Sequence, residues 1–236
     1  VRIAVYTITR ERLEYTQRTF ESLEKNAGLE YDHLVIDNGS QDGTVDWLRS
    51  NGYDELLVSH KLVSLPENVG ISRASNMARS LLLEDGRYDL IVKIDNDCDI
   101  KSPGILASFA SIYAGNANGV DFSRFVLGPA VLGLCNPPRL GNSLVWGRFT
   151  LHQRAVIGGI FRVVPAAVYA AYPDYPETLP KAWGQDDDIC EWLRMNGFPK
   201  YQVDNLVVEH MDTTTGQAAK YPEYFERKWK EEKERP

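Results

Sequence analysis

The feature that most constrains this chain is an apolar run that stops abruptly in acid. Leu90-Ile91-Val92, continued by Ile94, is long enough for a buried strand and too short for a typical helix, and it ends in Asp95-Asn96-Asp97-Cys98-Asp99. Carboxylates therefore recur at alternate positions where a strand ends. In an open α/β sheet, ligands sit in the crevice outside the carboxyl ends of the strands, so a divalent cation and an anionic ligand are expected there. Asp95 and Asp97 are two residues apart, which in a continuing strand points both to one side, and a bend lets one hold metal and the other hold ligand. Oxygen ligands suit Mg²⁺ or Mn²⁺. Asp and Asn are also ordinary turn residues after a strand, and the spacing alone leaves both readings open.

The first hundred residues repeat a strand–helix rhythm. Residues 2–8 are β-branched and apolar and break at Thr9-Arg10-Glu11-Arg12. Leu13, Thr16, Phe20, Leu23 and Ala27 then recur at steps of three and four, with Gly28 placed to end the helix. Residues 33–37 read as the next strand, Asn38 to Gly43 as a turn-rich loop, and Thr44 as the cap of a helix through Trp47 and Leu48. A short strand at residues 62–65 leads through Pro66-Glu67-Asn68-Val69-Gly70 into a helix with Ile71, Ala74, Ala78 and Leu81 on one face. This order predicts an α/β fold with a largely parallel sheet covered by helices on both faces.

The second half is less regular. Residues 104–113 predict a helix and residues 126–134 a strand interrupted by Gly128, Pro129 and Gly133. Asn136-Pro137-Pro138 and Gly141-Asn142 punctuate a predicted loop. Residues 157–164 read as a strand in which Gly158-Gly159 let something approach the backbone closely, and Pro165 suits the first turn of a short helix. Asp186, Asp187 and Asp188 precede Ile189, Trp192 and Leu193, so acid at a helix start meets an amphipathic face. Residues 201–208 predict the last strand and residues 221–234 a charged terminal helix.

With 236 residues, 43% of them hydrophobic, the chain can bury a substantial core in one domain. Lys and Arg number 26 against 33 Asp and Glu, a formal charge of −7, which argues against nucleic-acid binding through a general electrostatic footprint. Cys98, Cys135 and Cys190 are widely separated and form neither a metal-type pair nor an even disulfide framework, so a reducing, cytoplasmic setting is expected. The apolar stretch at residues 160–172 is interrupted by Arg162 and Pro165, and nothing else approaches a membrane-spanning length. Val1 in place of Met leaves a processed, trimmed or preceded start all open.

Thr9-Arg10, then Val35-Ile36-Asp37-Asn38-Gly39-Ser40-Gln41-Asp42-Gly43-Thr44, then Glu67-Asn68-Val69-Gly70, then Ile94-Asp95-Asn96-Asp97, in that order, resemble the family 2 glycosyltransferases of the GT-A fold. The resemblance continues with Gly158-Gly159, with Gly184-Gln185-Asp186-Asp187-Asp188, where the family often has an acidic pair opening a helix, and with His210. It implies a single Rossmann-like GT-A domain over residues 1–236: a nucleotide-binding half to residue 100, an acceptor-binding and catalytic half to 220, then the terminal helix. The implied activity moves one sugar, with inversion at the anomeric carbon, from a UDP-, GDP- or dTDP-linked donor to a hydroxyl of a glycan, lipid-linked or protein-linked acceptor, using Mn²⁺ or Mg²⁺.

The resemblance also distributes roles. Asp97 would hold the metal, neutralising charge that develops on the departing diphosphate, with Asp95 nearer the nucleotide sugar and a possible second ligand. His210 would be a further ligand, which favours Mn²⁺ because imidazole suits softer metals. Asp99 is spare. Thr7 and Thr9 would floor the nucleotide pocket, Asp37 would bond the base or ribose, and Arg10 and Arg73 would pair with phosphate oxygens. Asn38, Asn68, Gly70, Asn96, Gly158 and Gly159 complete the implied donor pocket. Asp186 would take the acceptor's proton, with Asp188 as the alternative, and Gln185 stands where an acid is more usual. Trp183 would stack on a sugar or fill the core. Asn38-Gly39-Ser40 matches a glycosylation sequon, but a glycan there would block the cleft.

No Gln-x-x-Arg-Trp of the processive synthases occurs, so single addition is expected rather than polymerisation. Tyr221, Phe225 and Trp229 share one face of the terminal helix, which is read as packing on the domain, with peripheral membrane contact as the sharper reading. Two rivals stand beside the transferase. A nucleotidyltransferase usually carries a Gly-rich basic loop near the first strand, and Thr7-Ile8-Thr9-Arg10 has no glycine. A catalytically silent sugar-nucleotide or glycan-binding module is kept alive by Gln185.

Overall fold

β-Branched and aromatic residues in short runs, each closed by turn formers, set the strands of the first half, and steps of three and four set its helices. In the computed structural model, which describes residues 1–115, 120–134, 139–179 and 184–211 together with 219, 222, 223 and 226, these are β1 (Ile3–Thr9), α1 (Leu13–Asn26), β2 (Asp32–Asp37), α2 (Thr44–Ser50), β3 (His60–Ser64), α3 (Ile71–Asp85) and β4 (Leu90–Ile94). The strands pair in parallel in the order β3-β2-β1-β4. Each carboxyl end therefore opens on the same edge of the sheet.

The second half supplies β5 (Cys98–Ile100), α4 (Ile105–Ala114), β6 (Val126–Leu132), β7 (Arg139–Trp146), β8 (Phe149–Arg154), β9 (Phe161–Pro165), α5 (Ala166–Ala171), α6 (Gln185–Met195) and β10 (Lys200–His210). It extends the sheet as β4-β9-β6-β10-β8-β7, with β5 on β10. Here only β6 and β10 run parallel; β4–β9, β6–β9, β10–β8, β7–β8 and β10–β5 are antiparallel. The parallel rhythm of the first hundred residues thus passes into a mixed sheet.

Both faces of the central strands are covered, which is why β1 and β4 read as continuous apolar runs. Val5, Val92 and Ile94 pack with Leu23 of α1 and with Leu106, Phe109 and Ile112 of α4. On the other face Ala4, Tyr6 and Ile91 meet Ala74, Ala78 and Leu82 of α3, Tyr169 of α5, and Ile189 and Leu193 of α6.

Two expectations are corrected. Residues 139–146 are strand β7 rather than loop: Trp146 pairs Phe149 across a turn at Gly147 (φ 53), and Gly141 (φ 87) falls where the register with β8 shifts. Glycine there makes a bulge and does not end the strand. The strand predicted from residue 157 begins only at Phe161; Ile157 and Ile160 are apolar because they are buried in the preceding loop, each 5% exposed. Tyr221, Phe225 and Trp229 lie outside the described residues. No helix among the described residues is long and apolar enough to cross a membrane.

Candidate active site

The acidic turn is clamped from two sides. Asp95 N–H donates to the Ile160 carbonyl at 3.1 Å, and Met211 N–H donates to the Asp97 carbonyl at 2.9 Å, fixing the turn between the loop before β9 and the end of β10. Because β4 stops at Ile94 and the chain turns before β5, the two aspartates do not share one face, as a continuing strand would have it, but enter separate surroundings.

Asp97 is nearly enclosed, its side chain 9% exposed. Its Oδ2 accepts from Arg12 Nη1 at 3.0 Å and lies 3.6 Å from His210 Nε2, while Arg12 Nη2 donates to Asn96 Oδ1 at 2.8 Å. Asn96 Nδ2 in turn donates to Thr16 Oγ1 on α1 at 3.1 Å. Arg12 is reached by an unusual backbone: Glu11 and Arg12 both stand in the left-handed region, at φ 55 and 61. Such residues cost roughly 1–3 kcal/mol each and persist where the surroundings impose them. Ser40 Oγ accepts from Glu11 N–H at 2.8 Å and Asp42 Oδ2 from Leu13 N–H at 2.9 Å, which pins the bend to the loop after β2.

Asp95 belongs to a second charge network. The ammonium of Lys93, a buried lysine inside β4, contacts the Asp95 carboxylate and donates to the Gly159 carbonyl at 3.2 Å. Across the same glycine, Gly159 N–H donates to Asp186 Oδ2 at 2.7 Å, and Asp186 Oδ1 accepts from Arg162 Nη1 at 2.9 Å. A Cβ on Gly159 would strike the Lys93 ammonium and stand 2.7 Å from Asp186 Oδ1. What approaches the glycine backbone is therefore the protein's own charges.

Arg162 is 1% exposed and is held by the Tyr175 hydroxyl at 3.0 Å and the Ile157 carbonyl at 3.3 Å. Burial by itself would raise the Asp186 carboxyl, but Arg162, then Lys93 and the Gly159 N–H outweigh it and hold the group below the ordinary carboxylate value. The side chain of Asp186 is nonetheless 41% exposed, so one flank remains open to a ligand.

The other residues at the start of α6 diverge. Gly184 caps the helix at φ 94 and all three aspartates stand in its first turn, where the helix dipole favours negative charge. Gln185 is buried and donates to Ser72 Oγ on α3 at 2.9 Å, so the amide in place of an acid ties two helix starts together. Asp187 is exposed. Asp188 accepts from the Tyr172 hydroxyl and lies on the side of the tyrosine-rich core. Trp183 lies outside the described residues.

The predicted nucleotide pocket is partly internal scaffold. Thr7 is fully buried and its hydroxyl bonds His33 Nε2 at 3.1 Å, which removes it from the pocket floor; His33, enclosed with Thr7 and Tyr53, is pushed by burial down to about 3. Asp37 is also fully buried, its oxygens accepting from Thr9 Oγ1 at 2.9 Å and from Ser40 N–H at 2.9 Å. Asn38 Nδ2 donates to Asn68 Oδ1 at 2.9 Å, while Asn38 Oδ1 accepts from Val69 N–H, linking the end of β2 to the lead-in of α3. Gly39 (φ 80) passes so close that a Cβ would meet the Glu67 backbone at 2.7 Å. Gly70 turns into α3 at φ 88, Arg73 is exposed on that helix, and Arg10 is half-buried. Asp99 takes no part: Arg18 at 2.6 Å and Lys101 at 2.7 Å hold it against α1.

Among the described residues no three His, Cys, Asp or Glu side chains converge closely enough to hold a metal ion by themselves. Asp97 and His210 supply two ligand types for a divalent cation, and a protein cation already lies against the same carboxylate oxygen. One carboxylate plus substrate phosphates and water is an ordinary way to hold such an ion, so this donor set fits one.

The family model described as glycosyl transferase family 2 matches residues 4–129. No curated protein matches the chain. Solved structures similar to it include GalNAc-T7 with UDP, GalNAc and Mn²⁺ (13% identity, TM-score 0.67, 89% of this chain and 44% of that one). Another is the mannosyltransferase PcManGT from Pyrobaculum calidifontis in complex with GDP-Man and Mn²⁺ (12% identity, TM-score 0.63, 92% and 59%). A third is TarS of S. aureus (14% identity, TM-score 0.63, 90% and 37%). The chain therefore spans less than two thirds of the length of each, and at these identities the likeness shows a shared fold.

Proposed function

The chain belongs to glycosyl transferase family 2, and from that premise we propose that it transfers a single sugar from a nucleotide-diphosphate sugar to an acceptor hydroxyl, with inversion and with a divalent cation. The observation that carries this reading is the meeting, at the end of β4, of the Asp95-Asn96-Asp97 turn with Asp186 through Gly159. Similar structures holding UDP or GDP-Man with Mn²⁺ support it.

In this reading Asp97 and His210 hold the cation, Mn²⁺ in preference to Mg²⁺ because of the imidazole. Bound there, the ion would neutralise the charge of the leaving diphosphate. Thr9 and Asp37 shape the loop that the nucleotide lies against, Asn38 and Asn68 fix its far wall, and Arg10 and Arg73 are the candidates for phosphate contact. Asp95, steered by Lys93, faces the donor sugar.

Asp186 is the proton acceptor. Arg162 and the Gly159 N–H keep it ionised and fixed, and its open flank leaves lone pairs for an acceptor hydroxyl. One observation favours a second reading: both Asp186 oxygens already accept hydrogen bonds and Arg162 lowers its basicity, whereas Asp187, exposed on the same turn, has no partner among the described residues. In that version Asp187 takes the proton and Asp186 positions the turn.

Thermal-shift titration with UDP-, GDP- and dTDP-sugars, each with Mn²⁺, Mg²⁺ or chelator, tests the donor site. Ligand that binds only the folded state raises its stability by mass action. One nucleotide is expected to stand out, only with metal, and only while Asp97 is present; no shift with any nucleotide under any condition would remove the reading.

A further inference from the structure

We infer that Arg12 is the resident counter-cation of Asp97 and that a divalent cation gains this carboxylate only by displacing it. The inference rests on reading Asp97 as the metal's carboxylate. Arg12 Nη1 and Nη2 straddle the turn, at 3.0 Å from Asp97 Oδ2 and 2.8 Å from Asn96 Oδ1. Its side chain is 12% exposed and that of Asp97 9%, so bulk salt screens the pair little. The imidazole of His210 approaches the same oxygen, Oδ2, at 3.6 Å. A cation held between Asp97 and His210 would therefore share its ligand oxygen with a guanidinium.

Arginine cannot resolve that conflict by losing a proton, since it stays charged in proteins, so a cation bound through Oδ2 must move it. Ser40 and Asp42 pin the backbone on either side of Arg12, so the movement is one of the side chain. Arg12 stands in a left-handed bend ahead of α1, with Glu11 beside it in the same region. The consequence is a site already neutralised without metal. Metal enters it weakly alone and strongly alongside an anionic diphosphate, whose charge offsets that of the two cations.

Calorimetric titration of Mn²⁺ without nucleotide tests this on wild type, Arg12→Met, Arg12→Gln, Arg12→Lys and Asp97→Ala, each first checked for a wild-type circular dichroism spectrum. Arg12→Met and Arg12→Gln are expected to bind Mn²⁺ about tenfold tighter or more, the size of an ordinary coupling between two ligands. Arg12→Lys keeps the charge and is expected to stay within about threefold of wild type. Equal or weaker Mn²⁺ binding by both neutral variants, with Asp97→Ala losing it, would overturn the exchange and leave the metal site standing. Unchanged Mn²⁺ binding by Asp97→Ala would instead remove Asp97 as the ligand, and the exchange with it.

Discussion

Replacing Arg162 by Met removes the cation that fixes Asp186, and the structure sets the size of the effect. Arg162 is 1% exposed and loses three hydrogen bonds, to Asp186, Tyr175 and Ile157. Breaking a fully buried ion pair from one side costs about 3–5 kcal/mol because the remaining charge is left unpaired. Here the remaining charge is Asp186, 41% exposed, and solvent relieves part of that penalty, so about 2–4 kcal/mol is expected. For a chain of this length that lowers Tm by roughly 4–16 °C.

The pH dependence follows from the sign of the shift. Asp186 is depressed in the folded state, so its contribution to stability is fully present above the unfolded carboxyl value, roughly pH 4, and is lost as pH falls through the lower folded value. In Arg162→Met the largest lowering influence is gone and burial raises the group. The stability gap between wild type and variant is therefore widest at neutral pH and narrows as pH falls from the variant's higher folded value toward the depressed wild-type one. Urea unfolding at pH 7, 5 and 3.5 measures it. A gap under ~0.5 kcal/mol at pH 7, or one that widens toward acid, would refute the reasoning, because surface substitutions already reach that size.

Three further outcomes follow from the same structure. Gly159→Ala would press a Cβ against Lys93 and Asp186, so a loss of about 1–3 kcal/mol in urea unfolding is expected, together with loss of donor turnover. His33 is held neutral by burial, so folding stability should fall as pH drops below roughly 6.5 by up to ~1.4 kcal/mol per unit until the folded value near 3, and His33→Gln should flatten that slope in pH-dependent chemical denaturation. Asp99→Asn should cost about 1–2 kcal/mol by loosening Arg18 and Lys101 while leaving donor turnover at wild-type level, since it braces α1 outside the site.

Much of the first half was legible because local signals agreed. The strand into Asp95, the glycine and asparagine turns, and the helix faces each follow one period, and the sheet adds only the order of pairing. Where a residue's reason lies across the fold, the pattern misled. Gly141 bulges a strand that pairs through Trp146 and Phe149, and Thr7, taken for a pocket residue, answers a histidine on the neighbouring strand. Lys93 and Arg162 carried a usable signal, since a charge inside an otherwise apolar strand must find a buried partner, but beyond Asp95 the partners come from α6 and the loop at Gly159. Arg12 carried none: in sequence it is one cation of a polar break, and only the left-handed bend before α1 brings it to Asp97.

The most direct test of donor turnover, with water taking the sugar in place of the acceptor hydroxyl, is the release of free nucleoside diphosphate from UDP-, GDP- and dTDP-sugars with Mn²⁺, followed over time for wild type, Asp97→Ala, Asp186→Asn and Asp187→Asn. Wild type should break down one donor class, with Asp97→Ala silent and one of the two asparagine variants slower by about 100-fold or more, the scale of a lost general base. No release from any donor by wild type, or release that all three variants leave unchanged, would contradict the account.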